Sequence, residues 1–397
     1  MIDTNKSQTL PSDPSDNFVP ARPEDYGFSR FQLRIWHGMT FGAWRRLLKG
    51  NLRKVSAGRY GLLLSVTVLS VGNSILKWAS DMIYGRQIQA IQIKPDPLFI
   101  IGHWRSGTTW LNQLLGYDEN HASATALQCF TPETFLILRK LMPGSFLPSK
   151  RPMDNVSMTK DTAEEDEFSL LLGGAETPYR EIAFPCGDID GIEVSPTNMT
   201  EKETTFWRKK WLGFLKKVQF CNPNKRLVLK SPAHTLRIDE ILKHFPNAKF
   251  VHLIRDPYTV ILSGVKSNNA MAATQSLQTM MPSAENAMAK SLQNYVGFHK
   301  AYNACQDLIP PENLMTIRYE DLRKDTHSTI SRIYTELDLG DFSKVAKHYE
   351  TFLNVKKGYV NNQYDMPNDV EEMIYSQCKT YFDQYGYKCM SERKSEA

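Results

Sequence analysis

The sequence predicts an α/β fold of three layers, a central parallel sheet flanked by helices. Three observations predict it. Short apolar runs of strand length recur along the chain: LFIIG (98–102), RLVLK (226–230), AKFVHLI (248–254) and LMTIR (314–318). Helix-period segments lie between them, so successive strands are joined by crossovers and pair in parallel. Three of the runs end in residues suited to ligand contact, Gly102–Thr109, Lys230–His234 and Arg255, and open α/β sheets bind ligands at strand carboxyl ends.

Residues 1–25 are polar and carry Pro11, Pro14, Pro20 and Pro23, the composition of a disordered tail. No apolar stretch follows Met1 closely enough to make a signal peptide. Residues 26–90 form a basic, apolar helical segment. Between 26 and 80 there are nine Lys/Arg and no Asp or Glu, which accounts for all of the chain's excess charge of +5. That placement favours an anionic membrane surface as partner over a nucleic-acid-binding catalytic domain. Tyr60 to Leu76 is a run of 17 uncharged residues, about 25 Å as a helix and short of the ~30 Å hydrocarbon core. Ser65, Ser70, Asn73 and Ser74 weaken it further. It reads either as a core helix or as a membrane-contacting one; the second reading predicts peripheral or monotopic association, with the cytoplasmic face favoured over a Golgi-type lumenal orientation.

Residues 91–390 are the third and largest unit. Thr108–Gly116 begins a helix directly behind the first strand. The segment 200–217 is a longer helix, opened by a capping box of Thr200 and Glu203. AHTLRIDEILKHF (233–245) is an amphipathic helix stopped by Pro246. Six scattered cysteines, without CxxC or a Cys/His cluster, argue against a zinc site or a disulfide scaffold and leave one or two disulfides open.

The first strand runs into Gly102-His-Trp-Arg-Ser-Gly107-Thr108-Thr109. This keeps the glycine spacing of a phosphate-binding loop, so the fold is of the P-loop type. The usual lysine is replaced by Thr108, and Arg105 projects from mid-loop, suited to a bidentate grip on a tetrahedral oxyanion. Backbone N–H groups at Ser106 and Gly107, with the hydroxyls of Thr108 and Thr109, converge on the same anion.

At these residues the chain resembles the sulfotransferases that use 3′-phosphoadenosine 5′-phosphosulfate (PAPS), in their bacterial-type, carbohydrate-directed and tyrosylprotein-like branches. GHWRSGTTW (102–110) resembles the family's 5′-phosphosulfate loop. FVHLIRDPYTVILS (250–263) resembles its 3′-phosphate motif, with Arg255 and Ser263 at the expected spacing. LKSPAHT (229–235) resembles the strand end that carries an active-site lysine, here Lys230. RYEDL (318–322), with Tyr319, resembles the segment bordering the adenine, and KKG (356–358), with Lys357 and Gly358, a basic turn over the 3′-phosphate. Trp110 is placed to stack on the adenine or to pack in the core. The resemblance covers about residues 97–390 and implies a catalytic domain with PAPS as donor.

Sulfuryl transfer needs charge stabilisation, for which Arg105 and Lys230 are the natural pair, and no metal is required. The acceptor hydroxyl or amine needs a general base. His234, four residues after Lys230, is the first candidate. The acidic knot AEEDEF (163–168), through Glu165 and Glu167, is the second. Tyrosylprotein-like relatives carry a glutamate soon after the loop helix, where this chain has Ser123, Ala124, Thr125 and Ala126. The expected acceptor is a small molecule, a lipid or a glycan, and the basic N-terminal segment would hold the enzyme where lipid or glycolipid acceptors lie. Two other classes fit parts of the pattern: a nucleotide kinase, which would need ATP and Mg²⁺, and a non-catalytic nucleotide-binding protein at a membrane.

Overall fold

The computed structural model describes residues 17–29, 32–141, 158–187, 199–347, 349 and 366–396. Its strands are β1 (Phe18–Pro20), β2 (Leu98–Ile101), β3 (His121–Ser123), β4 (Arg226–Lys230), β5 (Lys249–Ile254), β6 (Met280–Pro282) and β7 (Leu314–Arg318). The expected parallel sheet is present, in the order β3-β4-β2-β5-β7, with every pairing in it parallel. β1 and β6 form a separate antiparallel ribbon. That ribbon corrects the N-terminal expectation: Phe18–Pro20 and the turn Pro23–Tyr26, inside the supposed tail, are regular structure.

The helices are α1 (Phe41–Leu48), α2 (Tyr60–Ala90), α3 (Thr108–Leu115), α4 (Ala126–Phe130), α5 (Phe135–Leu141), α6 (Glu167–Leu172), α7 (Glu201–Cys221), α8 (Ile238–His244), α9 (Pro257–Gln275), α10 (Ala284–Cys305), α11 (Tyr319–Lys324), α12 (Thr326–Glu336) and α13 (Asn368–Tyr385). β2 sits mid-sheet and is buried on both faces, which is why its sequence is continuously apolar rather than alternating. Phe99 and Ile101 join one core with Trp207, Trp211 and Ile241 from α7 and α8. Leu98 and Ile100 join the other with Leu111, Ile330 and Ile333 from α3 and α12. Truncating Phe99 or Trp211 to alanine costs about 3–5 kcal/mol at sites this buried. The predicted capping box is formed: Thr200 Oγ1 accepts from Glu203 N at 3.3 Å and Glu203 Oε2 from Thr200 N at 2.8 Å. The expected helix 233–245 is in fact two pieces, a 3-10 turn Pro232–Arg237 and then α8.

α2 is almost twice the length of the uncharged run, 31 residues, about 46 Å. It is long and apolar enough to cross a membrane, and only 11% of its apolar window is buried. Several of its polar residues face the protein. Thr67 Oγ1 accepts from Trp44 Nε1 at 2.9 Å, Ser74 Oγ from Phe41 N at 2.9 Å, and Asn73 Nδ2 donates to the His37 and Met39 carbonyls at 2.7 and 2.9 Å. Leu64, Val68, Val71, Ile75, Trp78 and Met82, spaced three and four apart, are exposed on the other side. Most of the segment's apolar window is thus exposed or half-buried among the described residues.

Candidate active site

Because β2 is flanked by β4 on one side and β5 on the other, the three ligand-suited strand ends meet at one edge of the sheet. The loop after β2 bends through left-handed backbone at Gly102 (φ 133°), Arg105 (φ 71°) and Gly107 (φ 101°). A Cβ on Gly102 would lie 2.4 Å from the Leu253 carbonyl oxygen, and one on Gly107 2.3 Å from the Tyr319 ring. Only glycine fits either place. Arg105 holds that conformation with a side chain, a cost of about 1–3 kcal/mol that is met where surrounding contacts fix it. Ser106 Oγ closes the turn onto the His103 carbonyl at 2.8 Å, and Gly102 N donates to Thr235 Oγ1 at 3.0 Å.

The predicted anion-binding residues converge. Arg105 Nε donates to Ser263 Oγ at 2.9 Å, and Arg255 Nη1 donates to the Arg105 carbonyl at 3.0 Å. The Arg255 guanidinium lies 4.1 Å over the Tyr319 ring, so Tyr319 joins the loop to the end of β5. Asp256 caps α9 by accepting from Thr259 N at 3.2 Å, which places Ser263 nearly two turns along that helix. Lys230 Nζ, at the end of β4, reaches Thr109 Oγ1 at 3.3 Å. Thr108 is buried at the start of α3. Trp110 is partly buried beside the second core and lies under the Arg323 guanidinium at 5.4 Å. Lys357 and Gly358 lie outside the described residues.

The acidic knot is not a solvated helical turn. Glu164, Glu165, Asp166 and Glu167 are all buried, and three consecutive carboxylates each find a basic side chain from the end of β4 or the segment after it. Glu165 Oε1 accepts from Lys230 Nζ at 2.6 Å. Asp166 Oδ2 meets His234 Nε2 at 2.9 Å. Glu167 pairs with Arg237 and also accepts from Thr177 Oγ1 at 2.5 Å. Burial would raise Asp166, but the imidazole of His234 and the charge of Arg237 outweigh it and hold its carboxyl below the usual range.

The three candidate bases sit in different surroundings. His234 has no exposed surface, lies edge-on to Phe99 at 5.1 Å and turns its only bonded ring nitrogen to Asp166. Glu167 is equally enclosed. Glu165 alone of the three stands beside a residue that touches the loop, Lys230.

Sequence reasoning missed Asp166, Arg237 and Tyr179. The Tyr179 hydroxyl donates to Glu165 Oε2 and accepts from Trp104 Nε1 at 2.7 Å. Burial, then the Glu165 charge, push the Tyr179 phenol well above its ordinary value. His103 is held neutral, lowered to about 4 by burial against Tyr295 and Phe298. All six cysteines are unbridged.

A model of the sulfotransferase family matches residues 97–343 of this chain. A curated relative, omega-hydroxy-beta-dihydromenaquinone-9 sulfotransferase Stf3 of Mycobacterium tuberculosis, is 33% identical over 361 residues, 89% of this chain and 91% of the relative. The protein of the same description from Mycobacterium bovis matches to the same extent. Among solved structures, sulfotransferase STF9 from Mycobacterium avium aligns over 91% of this chain and 94% of its own, with a TM-score of 0.63 and 18% identity. Sulfotransferase STF1 from Mycobacterium tuberculosis H37Rv aligns over 89% and 95%, with a TM-score of 0.57 and 17% identity. The structural likeness bears on the fold; the curated relative and the family model bear on the chemistry.

Proposed function

The chain belongs to the sulfotransferase family and moves a sulfuryl group from PAPS to an acceptor hydroxyl or amine; we propose that Glu165 is its general base, that the loop Gly102–Thr109 holds the donor, and that the acceptor is a lipid alcohol. The loop reads as a P-loop-type turn whose lysine has been replaced in function by Arg105 and Lys230. Its fit to a nucleotide bisphosphate rests on two features: a cradle that any Cβ at Gly107 would fill, and three cations from three strand ends around it. Arg105, Thr108, Thr109 and Lys230 would hold the phosphosulfate. Arg255 and Ser263 would hold the 3′-phosphate, with Tyr319 and Trp110 beside the adenine. When bound, PAPS supplies the sulfuryl group that the acceptor oxygen attacks, and 3′,5′-ADP leaves.

The observation that carries the base assignment is the Lys230–Glu165 pair, with side-chain exposures of 0% and 9%. Glu165 accepts the acceptor's proton at a carboxylate oxygen. Its neutralisation frees the charge of Lys230 for the leaving phosphate, so that proton uptake and charge stabilisation rise together. The reading needs no group beyond the chain's own residues and the donor.

Four features support a lipid acceptor and peripheral membrane association. The exposed stripe of α2 from Leu64 to Met82 is apolar along about 27 Å, and Arg45, Arg46, Lys49, Arg53 and Lys54 precede it. α2 is bonded to the domain through Thr67, Asn73 and Ser74, which favours a helix lying in the membrane plane over one crossing it. The turn that receives Asn73 passes Gly38 against the Phe130 carbonyl and Leu172 of α6, the helix that opens at Glu167. The curated relatives are named for an omega-hydroxylated menaquinone, by its chemistry a lipid alcohol. The test is transfer from ³⁵S-labelled PAPS to a panel of isoprenoid and hydroxylated quinone lipids, glycans, phenols and peptides. Label in the lipid fraction that is lost in Glu165→Gln supports the reading; label confined to glycans or peptides overturns the acceptor class.

A further inference from the structure

Trp104 sits in the donor loop with no anion-binding role. Its ring lies edge-on to Phe298 at 5.4 Å, and its indole N–H is committed to the Tyr179 hydroxyl. From there the bonds run in a circuit: Trp104 to Tyr179, Tyr179 to Glu165, Lys230 to Glu165, and Lys230 back to Thr109 in the same loop. The polarity of the chain is fixed by chemistry. An indole nitrogen only donates and a carboxylate only accepts. The Tyr179 oxygen takes the Trp104 proton, so its own proton must point at Glu165. Both carboxylate oxygens of Glu165 are thereby oriented by groups that the loop holds.

We propose that Trp104 is a positioning residue that ties the donor loop to Glu165 through Tyr179, so that the orientation and basicity of the carboxylate depend on the loop that holds the donor. This rests on the assignment of Glu165 as base. Tyr179 is well placed for the role because its segment is anchored independently: Thr177 Oγ1 accepts from Tyr179 N at 3.3 Å and donates to Glu167. The charged and titratable groups around Glu165 are Lys230 from β4, Tyr179 from the 3-10 turn Pro178–Ile182, and its neighbours Glu164, Asp166 and Glu167. Cys129 of α4 also faces this cluster, and burial, with Glu164 next, keeps its thiol protonated. Of these, Tyr179 and Lys230 bond Glu165's carboxylate directly, and Tyr179 alone of that pair is held by Trp104.

The experiment reads the titration of Glu165 without needing the acceptor. Protonation of Glu165 releases Lys230 for phosphate, so 3′,5′-ADP affinity carries an inflection at the apparent pKa of Glu165. Calorimetric titration of 3′,5′-ADP from pH 4 to 8 measures it, and Glu165→Gln, in which it disappears, corrects for titration of the nucleotide. Trp104→Phe removes the N–H and keeps the ring. It is expected to move the inflection to higher pH by about half a unit, since a carboxylate less well hydrogen-bonded is more easily protonated. Tyr179→Phe is expected to move it further, and the double variant no further than Tyr179→Phe alone, as residues in one network are non-additive. An unmoved inflection in both single variants, or additive shifts in the double, overturns the coupling. If Glu165→Gln retains turnover on a lipid alcohol while the inflection still shifts, the base assignment fails and the coupling stands. Thermal unfolding of each variant identifies any that does not fold; Tyr179→Phe then tests the same link.

Discussion

Glu165→Gln is isosteric, yet the pair it breaks makes its effects diverge in sign. Lys230 has no exposed side-chain surface. Removing the charge of its partner leaves a buried ammonium opposed only by neutral acceptors, a loss of about 3 kcal/mol at the low end for a broken buried pair. With unfolding entropy near 2.1 cal/mol/K per residue over 397 residues, that is a fall in Tm of roughly 4 °C. The same substitution removes a negative charge from beside the donor loop. At ~10 Å and an effective dielectric of about 20, a carboxylate opposes a bound phosphate by ~1.7 kcal/mol, so 3′,5′-ADP should bind on the order of tenfold more tightly. Turnover should fall by about two or more orders of magnitude, because the proton acceptor is gone. Differential scanning fluorimetry, calorimetry with 3′,5′-ADP and ³⁵S transfer measure the three effects on one protein sample. Weaker nucleotide binding would show that Lys230 does not face the donor, and retained turnover would show that the base is elsewhere.

Arg255→Ala should weaken 3′,5′-ADP far more than 5′-AMP in parallel titrations, since the lost contact is to the 3′-phosphate; equal losses refute that placement. Gly107→Ala forces a Cβ to 2.3 Å from Tyr319 at φ 101°, which costs about 3 kcal/mol in strain and overpacking. It should abolish 3′,5′-ADP binding, while Gly213→Ala, a helical glycine of α7 with open space around its Cα, should gain up to about 1 kcal/mol. His252 is held down to about 3, first by burial and then by His299, so the unfolded chain binds a proton that the fold does not between its ordinary value near 6.5 and that point. Its contribution is complete above pH 6.5 and is lost as pH falls, by about 2 kcal/mol at pH 5; urea midpoints at pH 7 and 5 should differ less in His252→Phe. Exchanging Leu64, Val68, Ile75 and Trp78 for polar residues should leave Tm unchanged and abolish sedimentation with anionic vesicles, whereas indifference of the unaltered protein to such vesicles refutes membrane contact.

The parts of the fold visible in the sequence are those with local causes. β2, β4, β5 and β7 are each short, mainly apolar runs between breakers, and Arg255 and Ser263 declare themselves by spacing along one strand and one helix. β3, the three residues His121–Ser123, offers no apolar run, and its pairing with Arg226–Val228 is what makes it a strand. The acidic knot shows a different kind of illegibility. Nothing local says that Glu165, Asp166 and Glu167 will meet Lys230, His234 and Arg237, because three adjacent side chains must fan out to reach residues spaced four and three apart on another segment. His234 looks open in the sequence, at the start of a polar helical turn; Phe99, Trp211 and Asp166, from three distant elements, enclose it.

The N-terminal segment carries the same lesson in reverse. Ser70, Asn73 and Ser74, which in sequence weaken a membrane span, are the residues that bind α2 to the domain or face it. Their periodicity, not their polarity, was the informative signal. With Val66 and Ser80 they mark one stripe, and Leu64, Val68, Val71, Ile75, Trp78 and Met82 mark the other. A helix with a polar seam and an apolar seam on opposite sides is built to be bonded on one side and solvated by something apolar on the other. An exposed apolar stripe of this length is costly in water. The polar seam explains why α2 stays on the domain; the proposed membrane contact would explain why the residues of the apolar seam are Leu, Val, Ile, Trp and Met. The proposed lipid surface, beside a site proposed to take a lipid alcohol, would account for both seams with one arrangement, and the vesicle experiment decides it.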